Sequence, residues 1–298
     1  MRHAYMIIAH GKWEQLICLL KQIDCFNNDI YIHIDKKAKD VPIKKIEESV
    51  KISNIKIFRE YSVYWGSFEL VQTEIFLMKK ASENKYDYYH LLSGMDLLIK
   101  SKKEIEDFFN NNKGYEYIHF DTEERLKKDK EIARRTQCYH FLTNYRRRYK
   151  SNFLNNMFTL LERCSLIFQI IIGINRNYKY KDFEIKYGSQ WFSITHDFVQ
   201  YVLEKEEWVY FVFKHTKCAD ELFMQSLIYN SPYKEKLYNK KFDDDNMSNL
   251  RLIDLKERGH NGSPYTWKIT DLDEIKNSSC MYGRKFDLDE DIFIVKQK

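Results

Sequence analysis

The sequence predicts an α/β fold with a mainly parallel central sheet flanked by helices, in a single domain over residues 1–298. Three observations predict it. Apolar, β-prone runs alternate with helical periodicities through the first hundred residues; the alternation resumes from residue 186; and no internal repeat or Pro/Gly-rich linker interrupts a chain with only three prolines and nine glycines.

In chain order, "AYMIIAH" (4–10) is a strand, and residues 12–23 have helical spacing at Trp13, Leu16, Leu19 and Leu20. "IYIHID" (30–35) alternates as a strand and "IKIF" (55–58) is a third. "SFELVQTEIFLMKKASE" (67–83) is an amphipathic helix, and "YDYYHLLS" (86–93) returns to strand. Residues 121–180 are charged and helical. "KYGSQWFSIT" (186–195) reads as a strand, 196–206 and 214–230 as helices, "YNKKFDDDNMSN" (238–249) as a loop, and "LRLIDL", a helix near 271–277 and "CMYGRKFD" complete the domain. Function in such sheets gathers at the carboxyl ends of strands. That places Ala9, His10, His33, Asp35, Ser93, Gly94 and Asp96 along one edge.

Bulk properties exclude more than they select. With 44% hydrophobic and 31% charged residues the chain is folded and soluble, and a net charge of +5 lacks the dense basic clustering of a nucleic-acid binder. Six scattered cysteines form no CxxC and no zinc spacing, so free thiols in a reducing compartment are expected. The N-terminus has too short an apolar run for a signal peptide, and no stretch approaches the ~18 apolar residues of a spanning helix, so a cytoplasmic protein is expected. "RRRYK" (146–150) followed by "CSLIFQIIIGI" (164–174) has two readings: a buried core helix, or a helix lying on the inner face of the membrane.

Walker, GxGxxG, GxSxG and HExxH motifs are absent. "DDD" (243–245) reads as a solvated loop rather than a metal-binding DxD, and Asp287, Asp289 and Glu290 as an exposed face. "WGS" (65–67) is a turn with an N-cap for the helix that follows. In "LLSGMDLL" the strand breaks at Ser93-Gly94, and Asp96 between apolar residues needs a partner or a task. Arg284 and Lys285 could hold a diphosphate. "KCADELFMQSL" sets Asp220 and Glu221 at a helix start, where they serve either as caps or as a catalytic base.

Taken in order, "AYMIIAHGKWEQLICLLKQI", "IYIHIDKK", "VYWGSFELVQTEIFLMKKA", "YDYYHLLSGMDLLIKSKKEI", "YGSQWFSITHDFVQYVL", "CADELFMQSL" and "MYGRKFD" resemble the core-2/I-branching β1,6-N-acetylglucosaminyltransferases and their bacterial relatives. That family also includes the xylosyltransferases of proteoglycan synthesis. The resemblance implies a GT-A-like, Rossmann-type fold and an inverting transfer from a UDP-sugar that needs no metal and no other cofactor. It implies Glu221 as catalytic base and Lys285, with Arg284, at the leaving diphosphate. His10, His33, Asp35, Ser93, Gly94 and Asp96 are expected to bind the donor. Asp121, Arg134, Arg135 and Trp191 are expected to meet a glycan or lipid-linked glycan acceptor, with Asp220 as a cap or an orienting group. The pairing of Asp220 with Glu221 should raise the proton affinity of one of them.

Three departures qualify the resemblance. The position of a second basic residue before the "KFD" lysine falls at Gly262, leaving Lys268, Arg258 or Arg284 to substitute. Leu255 stands where the family tends to carry tryptophan, so a different acceptor is expected. No Golgi anchor or disulfide pattern is present, so the expectation is a bacterial, cytoplasmic enzyme of surface-polysaccharide synthesis that transfers GlcNAc from UDP-GlcNAc in β-linkage. The competing readings are UDP-xylose or another UDP-sugar on the same scaffold, and a silent sugar-nucleotide or glycan-binding protein.

Overall fold

The structure is a computed structural model that describes residues 1–145, 148–149, 151–260 and 262–291, without the side chains of Asn177 and Tyr180. Strand β1 (His3–Ala9) leads through helix α1 (Trp13–Ile23) to β2 (Asn28–Ile34). Helix α2 (Ile43–Glu48) then crosses to β3 (Asn54–Phe58), and α3 (Glu69–Ser82) to β4 (Tyr88–Ser93). Next come β5 (Asp96–Leu98), α4 (Lys102–Asn111), β6 (Tyr117–Ile118), α5 (Glu123–Lys128), α6 (Lys130–Gln137) and α7 (Asn152–Ile171). The remainder is β7 (Phe192–Thr195), α8 (His196–Glu204), α9 (Glu206–Phe213), α10 (Phe223–Tyr229), β8 (Arg251–Ile253), α11 (Leu272–Asn277) and β9 (Tyr282–Arg284).

Among the described residues the strands make a six-stranded sheet in the order β3-β2-β1-β4-β7-β6 and a three-stranded sheet in the order β5-β9-β8. The four strands β3, β2, β1 and β4 are parallel, and β7 runs antiparallel to both neighbours. The expected mainly parallel sheet is therefore present. Alternation along β1 explains why helices cover both faces: Ala4 and Met6 enter one apolar cluster with α3, α8 and α10, while Tyr5 and Ile7 enter another with α1 and α4. Each fully buried Leu or Ile contributes ~1.5–3 kcal/mol, so both faces are well anchored.

Arg251, fully buried, joins the two sheets. It donates to the carbonyls of Leu91 (3.0 Å), Phe192 (2.7 Å) and Asn249 and to Ser193 Oγ (2.7 Å), with its guanidinium 4.5 Å from the Tyr282 ring. Burial pulls its proton affinity down, to about 10. These four acceptors offset the cost of burying the charge.

The predicted strand 186–195 shortens to β7, because residues 186–191 are occupied in irregular side-chain and backbone contacts at the site. The predicted helix 214–230 is two pieces: a 3₁₀ turn at Ala219–Glu221, then α10 starting at Phe223. Neither piece is capped by a side chain, so Asp220 is not an N-cap. Nor does Ser67 cap α3; its hydroxyl accepts from the Tyr64 backbone N–H at 3.3 Å instead.

Candidate active site

Strands β2 and β3 lie on one side of β1 and β4 on the other, so the connections leave a crevice beyond the carboxyl ends of β1 and β4. Gly94 closes its floor: its N–H donates to the Ile8 carbonyl at 3.1 Å, and a Cβ there would meet the Ala9 Cβ at 3.2 Å. Asp96, 1% exposed, accepts from Ser93 N–H (2.8 Å) and Ser93 Oγ (2.7 Å) and is paired with Arg284 at 2.9 Å across the β5–β9 ladder. Arg284 also donates to Ser93 Oγ and lies 4.5 Å over the Trp191 ring. Lys285 follows, partly exposed, its ammonium 3.1 Å from Ser263 Oγ. His10 is exposed just past β1, and buried Asp35 sits just past β2 with its carboxylate 3.0 Å from the Lys37 ammonium.

A second cluster gathers around Glu221. Its Oε2 lies 2.7 Å from Arg135 Nη1, and the carboxylate is 32% exposed. Its carbonyl accepts from Gly188 N–H at 3.0 Å. Only glycine fits at 188, since a Cβ would stand 2.0 Å from the His119 carbonyl. Arg135 (5.8 Å) and Arg125 (5.7 Å) both approach the Tyr187 ring, and Arg125 pairs with Asp121 at 2.5 Å. "WGS" supports this cluster from outside: the Gly66 carbonyl, at a left-handed residue of φ 74°, accepts from Cys218 N–H at 2.9 Å.

Behind Glu221, Asp220 is buried, with Oδ1 meeting no hydrogen-bond donor. Burial first and the Glu221 charge second raise its carboxyl to about 7. Glu74 on α3 is also buried; Oε1 accepts from Gln190 at 2.9 Å and Oε2 has no partner. Burial, then Asp220, holds Glu74 well above the usual carboxylate range. The raised member of the Asp-Glu pair is thus the interior residue, while Glu221 faces solvent beside an arginine.

The two clusters hang on one segment. Gly188 bonds Glu221, Gln190 bonds Glu74, and Trp191 supports Arg284. Three residues of chain span at most ~11 Å, so the backbone anchors of the carboxylate and the guanidinium clusters lie within that distance of each other.

A family model described as "Branch: Core-2/I-Branching enzyme" matches residues 3–278. The chain belongs to this family. Among the relatives of this Core-2/I-Branching chain, "Xylosyltransferase 2" of Rattus norvegicus is 25% identical over 249 residues, covering 80% of this chain and 26% of that protein. "Xylosyltransferase 2" of Canis lupus familiaris is 24% identical over 270 residues, covering 87% and 27%. The Core-2/I-Branching chain therefore spans about a quarter of the length of these curated relatives. Among solved structures, core-mannan synthase A from Aspergillus fumigatus in its Mn/GDP form aligns over 78% of this chain and 71% of that one, at 10% identity and a TM-score of 0.33.

Several sequence expectations are redistributed in the Core-2/I-Branching site. Trp191, expected at the acceptor, packs under Arg284. His33 is fully buried and does not line the crevice; its Nε2 accepts from Tyr61 N–H at 3.0 Å, and burial lowers its proton affinity to about 4, so the ring is a neutral support. Arg134 is exposed, one helical step from Arg135, and is not brought to Glu221. Arg258, a candidate for the second clamp position, pairs with Asp254 (2.7 Å), Glu274 (2.9 Å) and Asp271 (3.5 Å). Lys268 is exposed. Asp244, in the loop read as solvated, pairs with His119 at 2.9 Å and with Lys256. Asp287 is buried rather than exposed; Lys12, beside His10, holds it at 2.9 Å and Asp289 at 2.7 Å. Sequence reasoning missed Tyr187, Glu74 and Lys12. Only Tyr187 carried a signal, as an aromatic directly before a glycine in the "KYGSQW" run. Among the described residues, no three His, Cys, Asp or Glu side chains converge as metal ligands would.

Proposed function

We propose that this chain is an inverting glycosyltransferase that moves a sugar from a UDP-sugar to a hydroxyl of a glycan or lipid-linked glycan acceptor. The observation that carries the reading is that one short segment, residues 188–191, contacts both the Glu221–Arg135 pair and Arg284, which precedes Lys285. Glu221 removes the proton of the attacking acceptor hydroxyl as the oxygen bonds to the anomeric carbon; the bond from that carbon to the diphosphate breaks, its electrons leaving with UDP. Arg135 orients the carboxylate. Lys285, whose hydrogen-bond partner is a neutral hydroxyl, supplies charge to the departing diphosphate, and Arg284 is held beside it by Asp96. On this reading cations take the place of a metal, and no cofactor is needed.

The donor is UDP-GlcNAc by family resemblance. Relatives named xylosyltransferases make UDP-xylose the second reading. The same resemblance, with six cysteines of which none is bridged, supports a cytoplasmic role in bacterial surface-polysaccharide assembly. Calorimetric titration with UDP, UDP-GlcNAc and UDP-xylose, in EDTA and then with manganese, tests the scheme. EDTA-insensitive binding with a preference for one sugar is the expected result. Binding only with manganese would overturn the cationic clamp.

A further inference from the structure

Helix α7 is built inside out. Its buried residues are Glu162 and Gln169, while Phe153, Leu160, Ile167, Phe168, Ile171 and the adjoining Ile172 are 54–76% exposed. The polar residues are what attach it. Glu162 accepts from His140 (2.9 Å) and from Leu142 N–H (3.1 Å), and Gln169 both accepts from Tyr139 N–H (2.7 Å) and donates to its carbonyl (2.9 Å). At 100° per residue, positions 155, 162 and 169 form one seam, and the exposed apolar residues lie opposite. Side-chain bonds along that seam therefore aim the apolar face outward. Of the two readings the sequence left for this segment, the buried core helix is not what forms.

We propose that this face docks on an anionic lipid bilayer, with α7 lying in the interface. Charge decides the occupant. Residues 146–182 carry eight Lys and Arg against two Asp and Glu; with Arg176 and Glu162 both buried, seven basic residues remain against one acid. Arg146, Arg147 and Lys150 of this set lie outside the described residues; Arg148 and Arg163 are exposed. The patch continues past the helix, where Lys179 stands 4.5 Å over the half-exposed Phe211 ring and Tyr178 is 68% exposed. A second copy of the chain would set these like charges against each other. The exposed stripe also spans about 140° of the wheel, wider than a two-helix seam. Twenty residues give α7 a length of ~30 Å, yet no helix among the described residues is long and apolar enough to cross a membrane. Lying on the surface satisfies both facts. One consequence rests on the reaction proposed above. Residues 139–142, bonded to α7, follow directly on α6 and Arg135, so docking fixes Glu221 relative to the bilayer, as a lipid-linked acceptor requires.

Flotation of the full chain with vesicles of phosphatidylcholine, alone or mixed with phosphatidylglycerol, tests the proposal. The chain should float with the mixed vesicles and release in high salt. Leu160→Gln/Ile167→Gln/Ile171→Gln should cut partitioning by about tenfold or more, and Arg148→Glu/Arg163→Glu by several-fold, with thermal midpoints and UDP titration unchanged. No flotation on mixed vesicles, equal flotation on neutral ones, or a dimer that the triple substitution splits would overturn it. UDP binding reports on the reaction alone, so the two readings fail separately.

Discussion

Two carboxylate–arginine pairs of nearly equal length stand in the two clusters, and their surroundings are opposite in kind. Asp96–Arg284, at 2.9 Å, has a carboxylate 1% exposed between strands whose other lone pairs are taken by Ser93. Glu221–Arg135, at 2.7 Å, has a carboxylate 32% exposed on a single 3₁₀ turn. The first is satisfied on every side and can only position. The second leaves room for a hydroxyl, as the base proposed above requires.

Substitutions should separate the two. Asp96→Ala leaves Arg284 without its carboxylate in a largely buried setting and should cost about 3–5 kcal/mol of stability, read as a fall in urea midpoint; a loss under 1 kcal/mol would remove the contrast. Glu221→Gln should cut turnover ~100-fold or more while UDP affinity and unfolding midpoint stay near wild type. Near-normal turnover would reject it as base. Lys285→Ala should weaken UDP binding about tenfold, ~1.4 kcal/mol, the scale of one charged hydrogen bond. Calorimetry would show it, and unchanged affinity would move the clamp elsewhere.

A pH dependence sharpens the Glu221 side. Asp220 is raised to about 7, so between about pH 4 and 7 the folded chain keeps a proton that the unfolded chain has released. Its contribution is complete below pH 4 and is lost as pH rises, by at most ~1.4 kcal/mol per unit. Asp220→Asn should flatten that fall in stability between pH 5 and 7.5. Glu116, raised to about 7 by its burial, keeps part of the slope in the variant. An unaltered slope would mean that Asp220 is ionised in the folded chain.

Local pattern made the parallel strands legible: β1, β2 and β4 are apolar runs with turn residues at their ends, and Gly94 marks the point where two strand ends touch. Glu221 was legible through its motif. What the sequence hid depends on distance or on direction. Lys12 and Asp287 are 275 positions apart, and nothing local to either announces the pair. Helix α7 was visible as a helix, but apolar periodicity states only that one face is apolar. Which way it points is set by Glu162 and Gln169, whose partners His140, Leu142 and Tyr139 lie on another segment. Asp220 looked like a cap because it precedes a helix; the intervening 3₁₀ turn carries it into the interior beside Glu74.

Among the described residues strand β5 bonds to β9 and to no other strand, so the wall holding Asp96 and Arg284 stays open until residues 282–284 are available. On a ribosome adding about 5–20 residues per second, the ~190 residues between the two strands take roughly 10–40 s. The Glu221 side, whose parts are all present by residue 230, can form before then. A nascent chain would pass through a stage in which the Glu221 cluster is assembled and the Asp96–Arg284 wall is not.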